Sequence, residues 1–475
     1  MPVRTRTPLH ERLLASAFGA GGRFATAAEF QDWLARAASR TSMETRRVPL
    51  AGLTGWRADE RTGDLRHHSG RFFRVHGLDV RLPQQVVPSW SQPIIDQPEI
   101  GVLGILVKEI DGTLHCLMQA KREPGNHNGV QLSPTVQATR SNYTRVHQGR
   151  AVPYLEHFRD AAGPGVIADI RQSEQGAWFY RKRNRNMVVE AAGDVEAAEG
   201  FCWLTLGQVH RLMAVPDLVN MDARTVLACL PLAGPGLARS RPPGGFLDTL
   251  ARSYDPAAGS HHPTGEILRW ITEMRTSTDL HTRPRPLGDL PGWRHADGAI
   301  THDSGRFFGV IGVSVRAQGR EVAAWDQPMI EPVGTGVVAF LVRRIDGVLH
   351  VLMHARAEPG YADVIELAPT VQCVPGNYDL LPDAARPPFL GLVLAARPPE
   401  VRYDTILSEE GGRFHRARNR YLVVETTEDL SHPEYRWVAQ HQIAELLRHS
   451  FYVNVQARSL YVCLTSLVTA PHAEP

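Results

Sequence analysis

The sequence predicts an α/β or α+β protein built from two tandem domains, each a mixed sheet flanked by helices. Three observations carry this prediction. First, the chain repeats itself: Ser69-Gly70-Arg71-Phe72-Phe73 returns as Ser304-Gly305-Arg306-Phe307-Phe308 (306 − 71 = 235). Pro134-Thr135-Val136-Gln137 returns as Pro369-Thr370-Val371-Gln372, and Glu123-Pro124-Gly125 as Glu358-Pro359-Gly360, at the same spacing. Solenoid repeats run to roughly 20–50 residues, so a unit this long is a duplicated domain. Second, each copy carries Asp-Gly between two apolar, β-rich runs, a strong hairpin signal. Third, each copy mixes such strands with a few amphipathic helices, as layered domains do.

The elements follow in order. Glu29–Ala38 and Glu266–Met274 show helical spacing of apolar residues, with Trp33 matched by Trp270. Gly101–Ile110 and Thr113–Ala120 flank Asp111-Gly112, and Val337–Ile345 and Val348–Ala355 flank Asp346-Gly347. Further strands are expected at Met187–Glu190 and Leu422–Glu425. Helices are expected at Gly207–Met213, at His441–His449 and at the end of each copy. Residues 1–235 form the first repeat, 236–262 a linker rich in Gly and Pro, and 263–475 the second repeat. The linker has room for one short helix around Phe246–Ala251.

Composition narrows the function. With 475 residues, each copy can bury a core. The net charge of +2 creates no global field for nucleic acid or a membrane surface. No signal peptide or membrane-length apolar run is read. Five dispersed cysteines, none in a CxxC pair, fit a reducing cytoplasm and no thiolate metal site. Of 52 basic residues only Lys108, Lys121 and Lys182 are lysines.

The densest polar stretch follows the first hairpin, from Lys121 to Tyr143. Its Arg, Ser, Thr and Asn side chains are donors suited to a diphosphate, and they equally suit a solvated loop. Comparison of the copies sharpens the contrast. Thr139-Arg140-Ser141 becomes Val374-Pro375-Gly376, and Lys121 becomes Arg356. A desolvated lysine can transfer protons, whereas arginine hardly can. A second cluster joins Ser173-Glu174 to Arg181-Lys182-Arg183-Asn184-Arg185, matched by Ser408-Glu409 and Arg416–Arg420. Its arginines fit phosphate contacts, an exposed edge, or an ion-pair network between copies. Trp56 and Trp293 fit base stacking or a half-buried core position. His67-His68 lacks a third convergent ligand, so no metal site is predicted. The sequence holds no Walker A, GxGxxG, HExxH or GxSxG motif.

The run from Glu123-Pro124-Gly125-Asn126 through Gln131-Leu132-Ser133-Pro134-Thr135-Val136-Gln137-Ala138-Thr139-Arg140-Ser141-Asn142-Tyr143, with its diverged second copy, resembles the NDP-hexose 2,3-dehydratases of antibiotic deoxysugar pathways. The resemblance spans nearly the whole chain. It implies two tandem Nudix-hydrolase-like domains, a homodimer, and dTDP-4-keto-6-deoxyglucose as substrate. It also implies one nucleotide-sugar pocket per copy, only one of them active, and a following 3-ketoreductase that takes the unstable product. Nothing in the chain reads as the acidic box that binds metal in true Nudix hydrolases.

On this resemblance no cofactor is needed, because water is lost without net redox change. A base removes the C3 hydrogen, acidified by the C4 ketone, and an acid assists departure of the C2 hydroxyl. Lys121, Tyr143 and Glu174 are the candidates for proton transfer and enolate stabilisation. Substrate binding is expected from Trp56, Arg71, Gln137, Thr139, Arg140, Ser141, Asn142 and Ser173. Trp293, Arg306, Gln372, Asn377, Tyr378 and Glu409 are the second-copy counterparts, and Glu366 with Tyr378 and Glu409 would serve if that pocket were the active one. The competing readings are a Nudix-type nucleotide-sugar hydrolase and a non-catalytic nucleotide-sugar-binding protein.

Overall fold

The computed structural model describes residues 7–19, 21–139, 151–161, 163–239, 244–318 and 322–469. Each copy contributes a seven-stranded mixed sheet. In the first copy the order is Val166–Ser173, Arg183–Glu190, Gly101–Ile110, Thr113–Arg122, Phe201–Thr205. Val130–Ser133 adds to Thr113–Arg122, and Val136–Ala138 to Gly101–Ile110. Among the described strands of this sheet, Arg183–Glu190 and Gly101–Ile110 form the parallel pair. The second copy repeats this with Val401–Ser408, Arg418–Glu425, Gly336–Ile345, Val348–Ala357 and Tyr435–Ala439. Asp111 and Gly112 take φ of 48° and 75°, and Asp346 and Gly347 take 50° and 76°. Both hairpins therefore turn with the paired positive φ that Asp-Gly makes accessible.

The repeated polar residues have local tasks. Thr135 Oγ1 accepts from Leu106 N at 2.8 Å, and Thr370 Oγ1 from Leu341 N at 2.9 Å. Asn220 caps the helix Met221–Leu227 through Ala223 N, and Asn454 caps Val455–Thr469 through Ala457 N. Thr205 and Gln208 close a capping box at the helix Leu206–Leu212.

The copies are not beads on a string. Each has a second, five-stranded sheet that the other copy completes. Ser42–Val48 lies antiparallel on Phe308–Gln318 of the second copy. Reciprocally, His281–Arg285 lies on Arg74–Arg81 of the first. One hydrophobic core spans both copies, joining Leu103, Met118 and Val188 to Val338, Met353, Val423 and the helix Val455–Thr469. The connecting segment enters it through Leu250, Ala251 and Tyr254, and Tyr254 Oη lies 2.7 Å from Thr465 Oγ1.

Two fully buried arginines cross between the copies. Arg224 donates to Ser408 O (2.8 Å) and Val219 O (2.6 Å), and Arg458 donates to Ser173 O (2.6 Å) and Val453 O (2.7 Å). Buried cations are tolerated only when hydrogen bonds replace their water. Among the described residues no helix is long and apolar enough to cross a membrane.

Candidate active site

Two cavities lie related by the duplication, and each is walled by both copies. The first, about 240 Å³, takes Trp56, Lys121, Glu123 and Glu174 from copy one and Glu410 and Arg413 from copy two. The second, about 480 Å³, takes Arg356, Glu358 and Glu409 from copy two and Gln175 and Trp178 from copy one. The cross-copy contribution has a backbone cause. Gly125 N donates to Gly411 O at 2.7 Å, and Arg416 N donates to Gly125 O at 2.8 Å. Gly360 N donates to Gly176 O at 2.7 Å, and Arg181 N to Gly360 O at 2.8 Å. A Cβ on Gly125 would sit 1.8 Å from Phe414 O, and one on Gly360 1.7 Å from Phe179 O. The glycine of each Glu-Pro-Gly is therefore required where one copy's loop touches the other's. It brings Glu410 and Arg413 to the first cavity, and Gln175 and Trp178 to the second.

Charge is concentrated in the first cavity. Glu123 lies 3.6 Å from Lys121 Nζ and accepts from Gln137 Nε2 at 2.8 Å. Carboxylate oxygens of Glu123, Asp222 and Glu410 lie within 4.8 Å of one another. Burial pushes Asp222 well above the usual carboxylate range; nearby Glu174, Glu123 and Glu410 push the same way and Lys121 opposes them. Burial, reinforced by Glu123 and opposed by Arg413, pushes Glu410 up to about 7. Two backbone amides, Gly412 N and Arg413 N, each donate to Glu410 at 2.8 Å and hold its carboxyl in place. Glu174 is raised by burial, against Arg458 and the hydrogen bond from Asn184 Nδ2 at 2.7 Å. Burial drives Lys182 down to about 8, with Glu174 opposing; its Nζ donates to Glu99 O. Such clustered, displaced titrations mark a site equipped for proton transfer.

The sequence-predicted residues distribute unevenly. Trp56, Lys121, Gln137, Thr139 and Glu174 all line the first cavity. Trp56 Nε1 donates to Asp326 O of the other copy at 2.7 Å, so its ring is anchored as a wall. Arg140, Ser141, Asn142 and Tyr143 lie outside the described residues. Arg71 is exposed and Ser173 is buried; neither belongs to the lining. Ser173 Oγ donates instead to Glu366 at 2.5 Å, across the junction of the copies. Trp293, Gln372, Asn377, Tyr378 and Glu409 line the second cavity. Arg306 is half-buried, 3.9 Å from Asp379, and outside that lining. The arginine cluster splits: Arg185 pairs with Asp169 at 2.6 Å on the neighbouring strand, as Arg420 does with Asp404, while Lys182 reaches the first cavity.

Sequence reasoning passed over Asp222, Glu410 and Arg413, and gave Lys182 no task of its own within its cluster; all four line the first cavity. Their signal was present in the repeat. Their counterparts are Gln456, Gln175, Ala417 and Trp178, so every one of these charges is lost in the other copy.

A family model described as NDP-hexose 2,3-dehydratase matches residues 27–230 and again 264–464. Three relatives bear the name dTDP-4-dehydro-6-deoxy-alpha-D-glucopyranose 2,3-dehydratase. The one from Saccharopolyspora spinosa is 50% identical over 463 residues, 96% of this chain and 95% of its own. The one from Streptomyces violaceoruber is 47% identical over 460 residues, 94% and 98% of the two chains. The one from Amycolatopsis orientalis is 45% identical over 467 residues, 97% and 95% of the two chains.

Proposed function

Because the chain belongs to the NDP-hexose 2,3-dehydratase family, we propose that it removes water from dTDP-4-keto-6-deoxy-D-glucose and releases a dTDP-3,4-diketo-2,6-dideoxyhexose. Its relatives carry the name of this activity over nearly their full length. The observation that carries the reading to a place in the molecule is the inequality of the two cavities. The first holds Lys121 and Lys182 where the second copy has Arg356 and Ala417.

The reaction proceeds by loss of the C3 hydrogen, whose electron pair passes into an enolate ending on the C4 oxygen. The enolate collapses, the C4 ketone re-forms and the C2–oxygen bond breaks. The resulting 2-ene-3-ol ketonises with protonation at C2. Lys121 and Glu174 stand in the first cavity to support the enolate. Thr139 lines the same cavity, and the expected diphosphate donors Arg140, Ser141 and Asn142 follow it directly in the chain, with Tyr143 next. Trp56 offers the sugar or base a face.

In this reading residues 1–235 and 263–475 descend from one duplicated Nudix-hydrolase-like unit, with 236–262 between them. The mixed seven-stranded sheets with flanking helices support that ancestry. The enzyme acts as a cytoplasmic homodimer in deoxysugar formation for antibiotic biosynthesis, and a 3-ketoreductase consumes its product.

Incubation with dTDP-4-keto-6-deoxyglucose, followed by reductive trapping and mass spectrometry, tests the function. Loss of one water from the intact nucleotide sugar is expected. Release of dTMP would show a hydrolase, and an unchanged mass a binding protein.

A further inference from the structure

We propose that Asp222 and Glu410, one from each copy, are the proton-transfer pair of the first cavity: Glu410 removes the C3 hydrogen and Asp222 protonates the departing C2 hydroxyl. This rests on the dehydratase reading and adds the identity of the acid and the base.

Four observations converge on the pair. Asp222 and Glu410 share the cavity lining with Lys121 and Glu123, and the three carboxyls lie within 4.8 Å of one another. Glu123, beside Lys121 and hydrogen-bonded by Gln137, sets a third carboxyl next to both members of the pair. Glu174 faces the same cavity, 3% exposed, and its Oε2 has no hydrogen-bond partner. A buried carboxylate oxygen without a partner marks a place where a ligand hydroxyl or proton belongs. Finally, the duplication has removed this pair from the second cavity, where Gln456 and Gln175 occupy the two positions. An amide keeps the shape of a carboxyl and cannot exchange a proton at neutral pH.

The roles follow from the surroundings. Glu410 receives two backbone N–H donors, from Gly412 and Arg413, and faces the Arg413 guanidinium; all favour its ionised form. Burial opposes them most, reinforced by Glu123 and Glu174, and raises Glu410 to about 7, as a base must. Asp222 is raised by burial, with Glu174, Glu123 and Glu410 pushing the same way and Lys121 opposing, and its protonated form is favoured. The two backbone donors and the guanidinium at Glu410, against three carboxyl neighbours at Asp222, assign Glu410 as the base and Asp222 as the acid.

The proton count closes. The C3 proton moves to Glu410, and the Asp222 proton leaves with the C2 hydroxyl as water. Ketonisation of the enol then returns a proton from Glu410 to C2, while the C3 hydroxyl gives its proton to Asp222. The pair ends as it began, with no external acid or oxidant.

Glu410→Gln and Asp222→Asn separate the roles. Each is assayed for water loss, for exchange of the C3 hydrogen in D2O, and for binding of dTDP by calorimetry. Wild-type enzyme must lose water; if it does not, the functional reading fails before the pair is tested. Glu410→Gln is expected to lose both exchange and dehydration by roughly 10²–10⁴-fold. Asp222→Asn is expected to retain C3 exchange and lose dehydration, with dTDP binding kept in both. Dehydration within tenfold of wild type in either variant overturns the pair. So does activity that vanishes with a chelator and returns with magnesium, because the three carboxyls would then be a metal cage. Should the variants not fold, the wild-type pH profile decides: a rate that fails to rise between about pH 6 and 8 removes Glu410 as the base.

Discussion

Substituting Gly125 by alanine perturbs the contact that delivers Glu410 to the first cavity. The new Cβ would lie 1.8 Å from Phe414 O and 2.7 Å from Gly411 O. Ordinary contact distances require the loops to part by about 1.5 Å. That movement breaks the hydrogen bonds Gly125 N to Gly411 O and Arg416 N to Gly125 O. Each contributes about 1 kcal/mol, and a buried group left unpaired costs roughly a further 1–3 kcal/mol, for a total of about 3–5 kcal/mol. Native stabilities of about 5–15 kcal/mol leave the variant folded, with a lower melting temperature. Displacing Glu410 by about an ångström should cost roughly 10²-fold in turnover. Gly360→Ala is the matched control, because its Cβ meets Phe179 O at 1.7 Å and strains the equivalent contact beside the second cavity. Both variants should melt earlier by similar amounts in a thermal scan. At a temperature where both are folded, turnover of dTDP-4-keto-6-deoxyglucose should collapse in Gly125→Ala and fall much less in Gly360→Ala. An unchanged melting temperature in Gly125→Ala would falsify the steric argument. Equal losses of turnover in the two would remove the claim of one working cavity.

Three further outcomes are expected. Turnover should rise with pH through about 7 as Glu410 ionises, and Glu410→Gln should erase that rise. Burial lowers His210 to about 4, so the fold favours its neutral form; that stability is complete above the ordinary histidine value of about 6.5 and is lost as pH falls towards 4. Urea midpoints at pH 7 and pH 4.5 should therefore differ by the equivalent of roughly 2 kcal/mol for this group, and His210→Gln should shrink the difference. Arg458→Met strands the carbonyls of Ser173 and Val453 in the junction of the copies and should lower stability by about 3–5 kcal/mol in chemical denaturation; a loss under 1 kcal/mol would mean water reaches those carbonyls.

The repeat made the frame legible. Asp-Gly between apolar runs located both hairpins, and helical spacing located Ala27–Ser39 and Thr264–Ser277, because local periodicity reports which face an element buries. The short strands that carry the exchange were harder to see. Ser42–Val48 has no fully buried residue, and His281–Arg285 contains Pro284 and two arginines, so neither shows the alternation of a half-buried strand. Both pair with strands more than 190 positions away, a separation that no local pattern encodes.

The site divides in the same way. By itself the sequence determined that two unequal copies exist, that the first keeps Lys121 and the polar loop, and that Glu174 sits beside a charged strand. Motif spacing suffices for this, because those residues lie within one continuous stretch. Only the tertiary structure decided that each cavity is shared. Asp222 stands far along the chain from Lys121, and Glu410 belongs to the other copy altogether. They meet because Gly125 and Gly411 touch backbone to backbone, and because a common core holds the two sheets together. Burial then moves the carboxyls from their ordinary titration range, and burial is a property of the packed chain, not of its order.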